Sequence, residues 1–168
     1  NIAIANAICK GLLSFHFNNV TVKWPNDIMA YNKKIGGILI ENNIKVNGAV
    51  QSVVGVGLNV NQINFEDLPK ASSILKTYNV ELDKTLLMQK ILSEFKNAIS
   101  NLNKNENEQW AYYHNHLFKK NIPVTFQTND ECKFTGMILK VNELGQLGVL
   151  DENDVLKFYN LKEIKMLY

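Results

Sequence analysis

The 168-residue sequence has no arginine: all 18 of its basic residues are lysine. A site for a carboxylate or a phosphate therefore lacks the planar guanidinium fork and has to use lysine ammonium groups and backbone N–H groups. Only two cysteines are present, Cys9 and Cys132, and they belong to no metal or redox motif. Both are expected to be reduced, buried thiols of an intracellular protein.

Long apolar runs are also missing, and no signal peptide is present, so the sequence predicts a cytoplasmic protein with no membrane partner. A net charge of +2 is too small to indicate nucleic-acid binding. With 46% hydrophobic and 20% charged residues, the composition is typical of a globular protein with a sizeable core.

The pattern of apolar residues changes twice along the chain. Residues 1–17 have helical spacing, whereas four strands are predicted at 20–24, 27–31, 34–41 and 49–61. The fourth strand is nearly continuous in valine and is therefore expected to be central in its sheet. A short helix is predicted within 62–79, and Asp83 is the predicted N-cap of a helix over 84–102.

The helix over 84–102 has an apolar stripe that should face the core, formed by Met88, Ile91, Phe95, Ile99 and Leu102. A polar break over 103–109 precedes a short helix over 110–118. Its histidines, His114 and His116, would point to different faces, which favours packing roles over a metal or nuclease site. From residue 122 onward, short alternating strands predict a barrel-like module of about 45 residues.

These elements together predict an α+β fold. Residues 1–120 would form a mixed β-sheet with helices, and residues 121–168 a small β-barrel.

Special residues concentrate between positions 23 and 59, namely Lys23, Asn26, Asp27, Lys34, Gly36, Gly37, Gly55, Gly57 and Asn59. Glycine inside a strand indicates either a bulge or the close approach of another group. A lysine in an apolar strand usually extends its amine to solvent, and an aspartate after asparagine can simply complete a turn. Taken together, the cations, the carboxylate and the glycines predict an anion-handling pocket but define no reaction.

Three motifs supply a reaction by resemblance: KWPND at 23–27, KIGGILIE at 34–41 and GVGLNVN at 55–61. In order and spacing they resemble the central catalytic segment of biotin protein ligases. The opening helix and the terminal β module also resemble that family, so the resemblance covers essentially the whole chain. It implies a partial biotin–lipoate ligase fold, like that of class II aminoacyl-tRNA synthetases, and an SH3-like C-terminal domain.

The resemblance also implies the chemistry and its substrates. Biotin and ATP, with Mg²⁺, would give biotinyl-5′-AMP, and biotin would then be transferred to a lysine of a biotin carboxyl carrier protein. No tightly bound cofactor and no covalent enzyme intermediate are implied.

Each candidate residue takes a role from the same resemblance. Lys34 would hold the biotin carboxylate and the α-phosphate, Lys23 would assist at the phosphates, and Asp27 would organise Mg²⁺ or a lysine. The implied biotin-binding residues are Lys34, Gly36, Gly37 and Leu39, and the implied nucleotide-binding residues are Asn26, Gly55, Gly57 and Asn59.

The sequence departs from the family in one respect. The Gly/Arg-rich loop and the Ser-Thr-Asn segment that precede these motifs in the family are not in residues 1–168. The chain is therefore expected to be the C-terminal part of a ligase, with little activity by itself. A lipoate or octanoate ligase of the same fold and a non-catalytic binding module remain alternatives, and a homodimer that pairs through residues 53–60 is possible.

Overall fold

The computed structural model describes residues 1–101 and 104–168. In chain order the elements are α1 (Ile2–Leu13), β1 (Val20–Lys23), β2 (Asp27–Ala30), β3 (Lys33–Ile44), β4 (Val50–Leu58), α2 (Ile74–Tyr78), α3 (Lys84–Ser100), α4 (Glu106–Asn115), β5 (Pro123–Thr128), β6 (Lys133–Val141), β7 (Leu147–Asp151), β8 (Leu156–Tyr159) and β9 (Ile164–Leu167). The α+β class predicted from the sequence is confirmed.

The first four strands form a sheet in the order β1-β2-β3-β4, and every pair of neighbours is antiparallel. The prediction of a mixed sheet is therefore wrong, because short turns join consecutive strands and make them pair antiparallel. Within the described residues, parallel pairing to this sheet occurs only as isolated bridges, Val22 with Leu117 and Lys34 with Ala71.

The predicted central position of the valine-rich strand is also wrong. β4 lies at the edge of the sheet and ends at Leu58. Val53 and Val56 are 62% and 40% exposed, so the valine run does not indicate burial on both faces. An edge strand is what pairing with a second copy would need, and the homodimer stays a prediction.

The two faces of this sheet differ in burial. One face, which includes Val22, Ile28 and Ile38, belongs to the same core cluster as α1 and α3. The close contact between these two helices requires glycine at position 11, because a Cβ there would lie 2.7 Å from Cγ1 of Ile91. The opposite face includes the exposed residues Leu39, Gly55 and Gly57, and it contains the site described below.

The third helix begins as predicted and buries only part of the predicted stripe. The carboxylate of Asp83 accepts hydrogen bonds from the backbone N–H groups of Thr85 and Leu86, which confirms the N-cap. Its buried residues are Leu87, Ile91 and Ala98, whereas Met88 and Ile99 are exposed and Phe95 is half-buried. Leu102 of the predicted stripe and Asn103 at the start of the polar break lie outside the described residues. α4 begins at Glu106 rather than at Trp110, because most of the predicted polar break is helical.

The last five strands form a second antiparallel sheet in the order β8-β7-β6-β5-β9. β9 was not predicted from the sequence. No pairing joins β8 to β9 in the part of the chain that the structure describes, so a closed SH3-like barrel stays a prediction. The domain boundary at residue 120 also stays a prediction. Residues from both sides of it, Ile8 and Leu12 as well as Phe126 and Val149, belong to one core cluster.

Two contacts next to the candidate site connect the first sheet with later parts of the chain. The indole N–H of Trp24, directly after β1, donates to the carbonyl oxygen of Gly145 at 2.9 Å. The backbone N–H of Phe118 donates to the carbonyl oxygen of Val22, also at 2.9 Å. The segment before the KWPND turn is therefore held by the C-terminal part of the chain.

The two cysteines lie in different environments. Cys9 is buried in α1, as expected, whereas Cys132 is exposed before β6, so the prediction that both thiols are buried is wrong for Cys132. A surface turn supplies no apolar neighbours to cover it. Across the described residues, no helix is both long enough and apolar enough to cross a membrane.

Candidate active site

Three charged side chains converge on the open face of the first sheet. The Nζ atom of Lys34 lies 2.5 Å from Oδ1 of Asp27, and the Nζ atom of Lys23 lies 3.7 Å from Oδ2 of the same carboxylate. Lys23 and Asp27 are direct partners in the pairing of β1 with β2. The two ammonium groups therefore share one carboxylate instead of extending separately into solvent, and the cluster has one excess positive charge.

Strand register explains why these residues share a face. Lys23, Asp27, Gly37 and Gly57 are successive partners across all four strands, and directly paired residues of an antiparallel sheet point to the same side. Lys34 reaches this row from the start of β3, where the register of β2 with β3 shifts by a bulge. The bulge brings its ammonium group over Gly37.

Gly37 lies next to the side chain of Lys34. A Cβ at this position would lie 3.7 Å from both Cε and Nζ of Lys34. Gly57 continues the row, and a Cβ there would have no neighbour within 4 Å. Gly55 pairs with Leu39 on the same face, and Leu39 is 62% exposed. The glycines thus form a flat strip of backbone beside the ammonium groups, with one apolar side chain at its edge.

Gly36 lies on the other face of the sheet. It is buried, and a Cβ there would lie 2.6 Å from the carbonyl oxygen of Gly57. This glycine is therefore required for the close packing of β3 against β4. The resemblance implies biotin binding by Gly36 as well as by Lys34, Gly37 and Leu39, but the structure places Gly36 on the opposite face from the other three.

The two candidate asparagines hold the backbone around the cluster. Nδ2 of Asn26 donates to the carbonyl oxygen of Ile38 at 2.8 Å, and the Asn26 carbonyl accepts from the Ile38 N–H at 2.9 Å. Nδ2 of Asn59 donates to the carbonyl oxygen of Ser72 at 3.0 Å. Asn26 fixes the turn before Asp27, and Asn59 fixes the loop that runs beside Lys34.

Two residues near the cluster have no signal in the motifs. The loop before α2 pairs with Lys34, whose backbone N–H donates to the carbonyl oxygen of Lys70 at 2.7 Å. The Nζ atom of Lys70 lies 4.2 Å from the ring centroid of Tyr168, and the Nζ atom of Lys23 lies 5.4 Å from the same centroid. The phenol pKa of Tyr168 is raised, first by burial and then by the negative charge of Asp27.

The arrangement does not fit a metal ion held by Asp27. Both of its carboxylate oxygens face ammonium groups, which compete with a cation for the same lone pairs. Within the described residues, no group of three or more His, Cys, Asp or Glu side chains is placed to hold a metal. Magnesium usually binds one or two carboxylates together with substrate phosphates, whereas the one carboxylate of this cluster is already paired with two ammonium groups.

His114 in α4 and His116 directly after it have packing roles, in agreement with expectation. Nε2 of His114 lies 2.9 Å from the carbonyl oxygen of Val141 in β6. His116 stacks on Tyr112 with a centroid distance of 4.0 Å. The ring of His114 thus contacts β6, and the ring of His116 packs on α4 itself.

Known proteins are similar to this chain in sequence and in fold. Residues 2–59 match the model of the biotin/lipoate A/B protein ligase family. The chain is 28% identical over 101 residues to the bifunctional ligase/repressor BirA of Salmonella typhimurium, which is 59% of this chain and 32% of that protein. It is 33% identical over 92 residues to BirA of Bacillus subtilis, which is 52% of this chain and 28% of the relative. The match thus spans about a third of the length of these curated relatives.

Solved structures agree over almost the whole chain. The apo structure of biotin protein ligase from Aquifex aeolicus has a TM-score of 0.78 and 21% sequence identity, and covers 99% of this chain and 73% of its own. A biotin protein ligase-like protein of unknown function from Silicibacter has a TM-score of 0.73, 13% identity, and coverage of 96% and 70%. The fold is therefore that of the biotin protein ligases. Together with the matched family model and curated relatives, it confirms the resemblance to biotin protein ligases.

Proposed function

We propose that the protein is an ATP-dependent biotin protein ligase. It would convert biotin and MgATP into biotinyl-5′-AMP and pyrophosphate, and then transfer biotin to a lysine of a biotin carboxyl carrier protein. The observation that carries the proposal is the pair of ammonium groups, Lys34 and Lys23, held on Asp27 beside a glycine-lined strip. The Aquifex ligase has been solved in complex with biotin and ATP, and the Helicobacter pylori synthetase with biotinylated ATP.

The first step needs fixed positive charge. An oxygen of the biotin carboxylate attacks the α-phosphorus of ATP, the bond to the bridging oxygen breaks, and pyrophosphate leaves. Two anions must approach each other, and negative charge builds on the phosphoryl oxygens in the transition state. Preorganised cations lower such a barrier most effectively where water is excluded. Lys34 would stabilise the carboxylate and α-phosphate, and Lys23 the outgoing phosphates.

Asp27 would act on the lysines and not on a metal. Its carboxylate is mostly buried, with 18% of the side chain exposed, and it holds both ammonium groups before substrates bind. Because the cluster keeps one excess positive charge, it still attracts anions. This preorganisation avoids a reorganisation of the lysines during the reaction.

The second step is acyl transfer without an enzyme-bound intermediate. The amine of the carrier lysine attacks the biotinyl carbonyl carbon, the acyl–phosphate bond breaks, and AMP leaves. No thiol nucleophile is required, and the two cysteines offer none near the cluster. Burial raises the pKa of Cys9 to about 12, and Cys132 lies in the exposed turn before β6.

The flat strip of glycine backbone would fit the flat parts of the ligands. Biotin would lie on the backbone of Gly37 with Leu39 as its apolar contact, and the adenylate over Gly55 and Gly57. Asn26 and Asn59 would keep the adjoining turn and loop in place. Gly36 would contribute indirectly, because on the buried face it allows β3 and β4 to lie close together.

We also propose that residues 1–168 alone bind biotinyl-AMP poorly. Gly55, Gly57 and Leu39 are exposed in this structure, so a ligand on the strip would be open to water on one side. Water weakens the electrostatic interactions on which the first step depends. A further segment over this face would be required for full activity.

Biotin-dependent ATP–pyrophosphate exchange in the full-length natural polypeptide tests the function. Exchange with biotin, and not with lipoate or octanoate, is expected. Exchange with lipoate or octanoate alone would replace the proposal by a lipoate-type ligase of the same fold. Binding of a carrier domain without any exchange or adenylate binding would show a non-catalytic module instead.

A further inference from the structure

The ring of Tyr168, which follows β9, lies against the lysine cluster of the first sheet. The ammonium groups of Lys70 and Lys23 lie 4.2 Å and 5.4 Å from its centroid, within the range of cation–π interactions. Phe118 contacts the same ring edge-on at 5.1 Å. Tyr168 is thus a contact between the C-terminal sheet and the proposed catalytic lysines.

Regular structure fixes the position of this ring. β9 pairs with β5, with Leu167 opposite Thr125, so the residue after β9 is held at the end of a paired strand. Phe118 in turn is bound to β1 through its backbone hydrogen bond to Val22. The tyrosine ring therefore lies in a defined place between two paired segments.

Lys23 needs such a partner more than Lys34 does. Asp27 makes its close ion pair, at 2.5 Å, with Lys34, whereas its contact with Lys23 is 3.7 Å long. The side chain of Lys23 is only 19% exposed, so water compensates for little of its charge. The face of an aromatic ring attracts an ammonium group without neutralising it.

We propose that Tyr168 is a positioning residue that holds the ammonium groups of Lys23 and Lys70 beside Lys34, so that three cations face the triphosphate of ATP. The inference rests on the proposed function and adds Lys70 as a phosphate contact. Lys23, Lys34 and Lys70 carry three positive charges against the one negative charge of Asp27, and the excess of two suits the leaving pyrophosphate. The aromatic ring keeps two of these cations near each other before the substrate binds.

Electrostatics keep the tyrosine neutral in this role. Burial and the charge of Asp27 both raise the pKa of its phenol, so the hydroxyl stays protonated at neutral pH. A neutral ring does not compete with phosphate for the lysines as a second carboxylate would. Phenylalanine would serve equally well, because the ring face and not the hydroxyl makes the contact.

Three variants of the full-length polypeptide test the proposal: Tyr168→Phe, Tyr168→Leu and, as a control, Tyr159→Leu. Tyr159 belongs to the same sheet but stacks on Phe134 at 6.0 Å, and within the described residues no lysine ammonium group lies over its ring. In biotin-dependent exchange, Tyr168→Leu should lower kcat about 5–30-fold, the loss expected for two cation–π contacts. KM should rise for ATP and stay unchanged for biotin, and Tyr168→Phe should keep kcat within about twofold.

A second measurement does not depend on activity. In NMR spectra of the labelled protein, the side-chain methylene protons nearest the ammonium groups of Lys23 and Lys70 should show ring-current shifts. These shifts should persist in Tyr168→Phe and disappear in Tyr168→Leu. Their absence from the wild-type protein would overturn the proposal, as would equal kinetics for Tyr168→Leu and Tyr159→Leu.

The two proposals fail in different ways. Wild-type protein with the ring-current shifts but without biotin-dependent exchange would overturn the ligase function, and the catalytic role of Tyr168 with it. Active wild-type protein whose Tyr168→Leu variant keeps its kcat would overturn the role of Tyr168 alone.

Discussion

The adjacent residues Lys33 and Lys34 direct their ammonium groups to different partners. Nζ of Lys34 lies 2.5 Å from the carboxylate of Asp27, whereas Nζ of Lys33 donates to the carbonyl oxygen of Pro69 at 2.5 Å. Both side chains belong to exposed residues at the start of the same strand. Only one of the two neighbours joins the charged cluster, so they form a natural pair for mutagenesis.

Replacing Lys34 with alanine should lower biotin-dependent adenylation by roughly 10²–10³, the loss seen when one preorganised donor to a developing oxyanion is removed. Replacing Lys33 with alanine should leave the rate within about threefold, because only a surface hydrogen bond is lost. The measurement is ATP–pyrophosphate exchange at saturating biotin, with circular dichroism to verify folding. Near-normal turnover of a folded Lys34→Ala enzyme would contradict the assignment.

Alanine substitutions at the two neighbouring glycines should separate packing from binding. Gly36→Ala should cost about 1–3 kcal/mol of unfolding free energy, because its methyl group would overlap the backbone of β4. Gly37→Ala should leave stability unchanged or raise it by about 0.5–1 kcal/mol, since its methyl group meets only ordinary contacts.

The same Gly37→Ala variant should raise the KM for biotin, because the methyl group would occupy the surface on which the ligand lies. Urea denaturation and steady-state kinetics on both variants check these expectations. A Gly37→Ala enzyme with unchanged KM for biotin would remove Gly37 from the proposed floor.

Asn26 should contribute to stability through its exchange of hydrogen bonds with Ile38. Asn26→Ala should lower the unfolding free energy by about 1–2 kcal/mol, because the Ile38 carbonyl loses its donor in a half-buried place. Asn32→Ala, in the exposed turn between β2 and β3, is a matched control with an expected change of less than about 0.5 kcal/mol. Equal midpoints of urea denaturation for the two variants would show that the bond is not important.

The thiols should react in sequence. Burial raises the pKa of Cys9 to about 12, so at pH 8 its thiol is both protonated and shielded. Cys132 is exposed, although a hydrogen bond with Asp130 and the charge of that carboxylate raise its pKa. Ellman's reagent should therefore titrate one thiol in native protein and two in urea.

Two variants check the assignment of the thiols. Cys132→Ser should leave no fast thiol in the native protein. Asp130→Asn should make Cys132 react faster, since its pKa falls back towards the ordinary value and the thiolate fraction rises. A second fast thiol in native Cys132→Ser protein would mean that α1 opens readily.

Local sequence signals predicted some parts of this molecule and not others, for physical reasons. The N-cap at Asp83 and the strand pattern at 20–23 depend on neighbouring residues, and both were predicted correctly. The edge position of β4 depends on which strands pair, and valine content does not determine that pairing. Likewise the burial of Leu87 instead of Met88 depends on the position of α1 and its Gly11.

The candidate site shows the same division. The KWPND and KIGG motifs place Lys23, Asp27 and Lys34 in the right segments, but only the bulge between β2 and β3 brings the two amines to one carboxylate. Gly36 and Gly37 look equivalent in the sequence, and strand alternation sends them to opposite faces. Lys70 and Tyr168 gave no signal, because their contacts join segments far apart in the chain.

The hydrogen bond from the Trp24 indole to the Gly145 carbonyl has a consequence for unfolding. It connects the residue beside Lys23 to the turn between β6 and β7, while the backbones of Val22 and Phe118 are bonded directly. Unfolding that begins in the C-terminal strands would therefore remove contacts that hold the residues next to the charged cluster. Heat or denaturant should unfold the two sheets in a single cooperative transition, and loss of ligand binding should coincide with it.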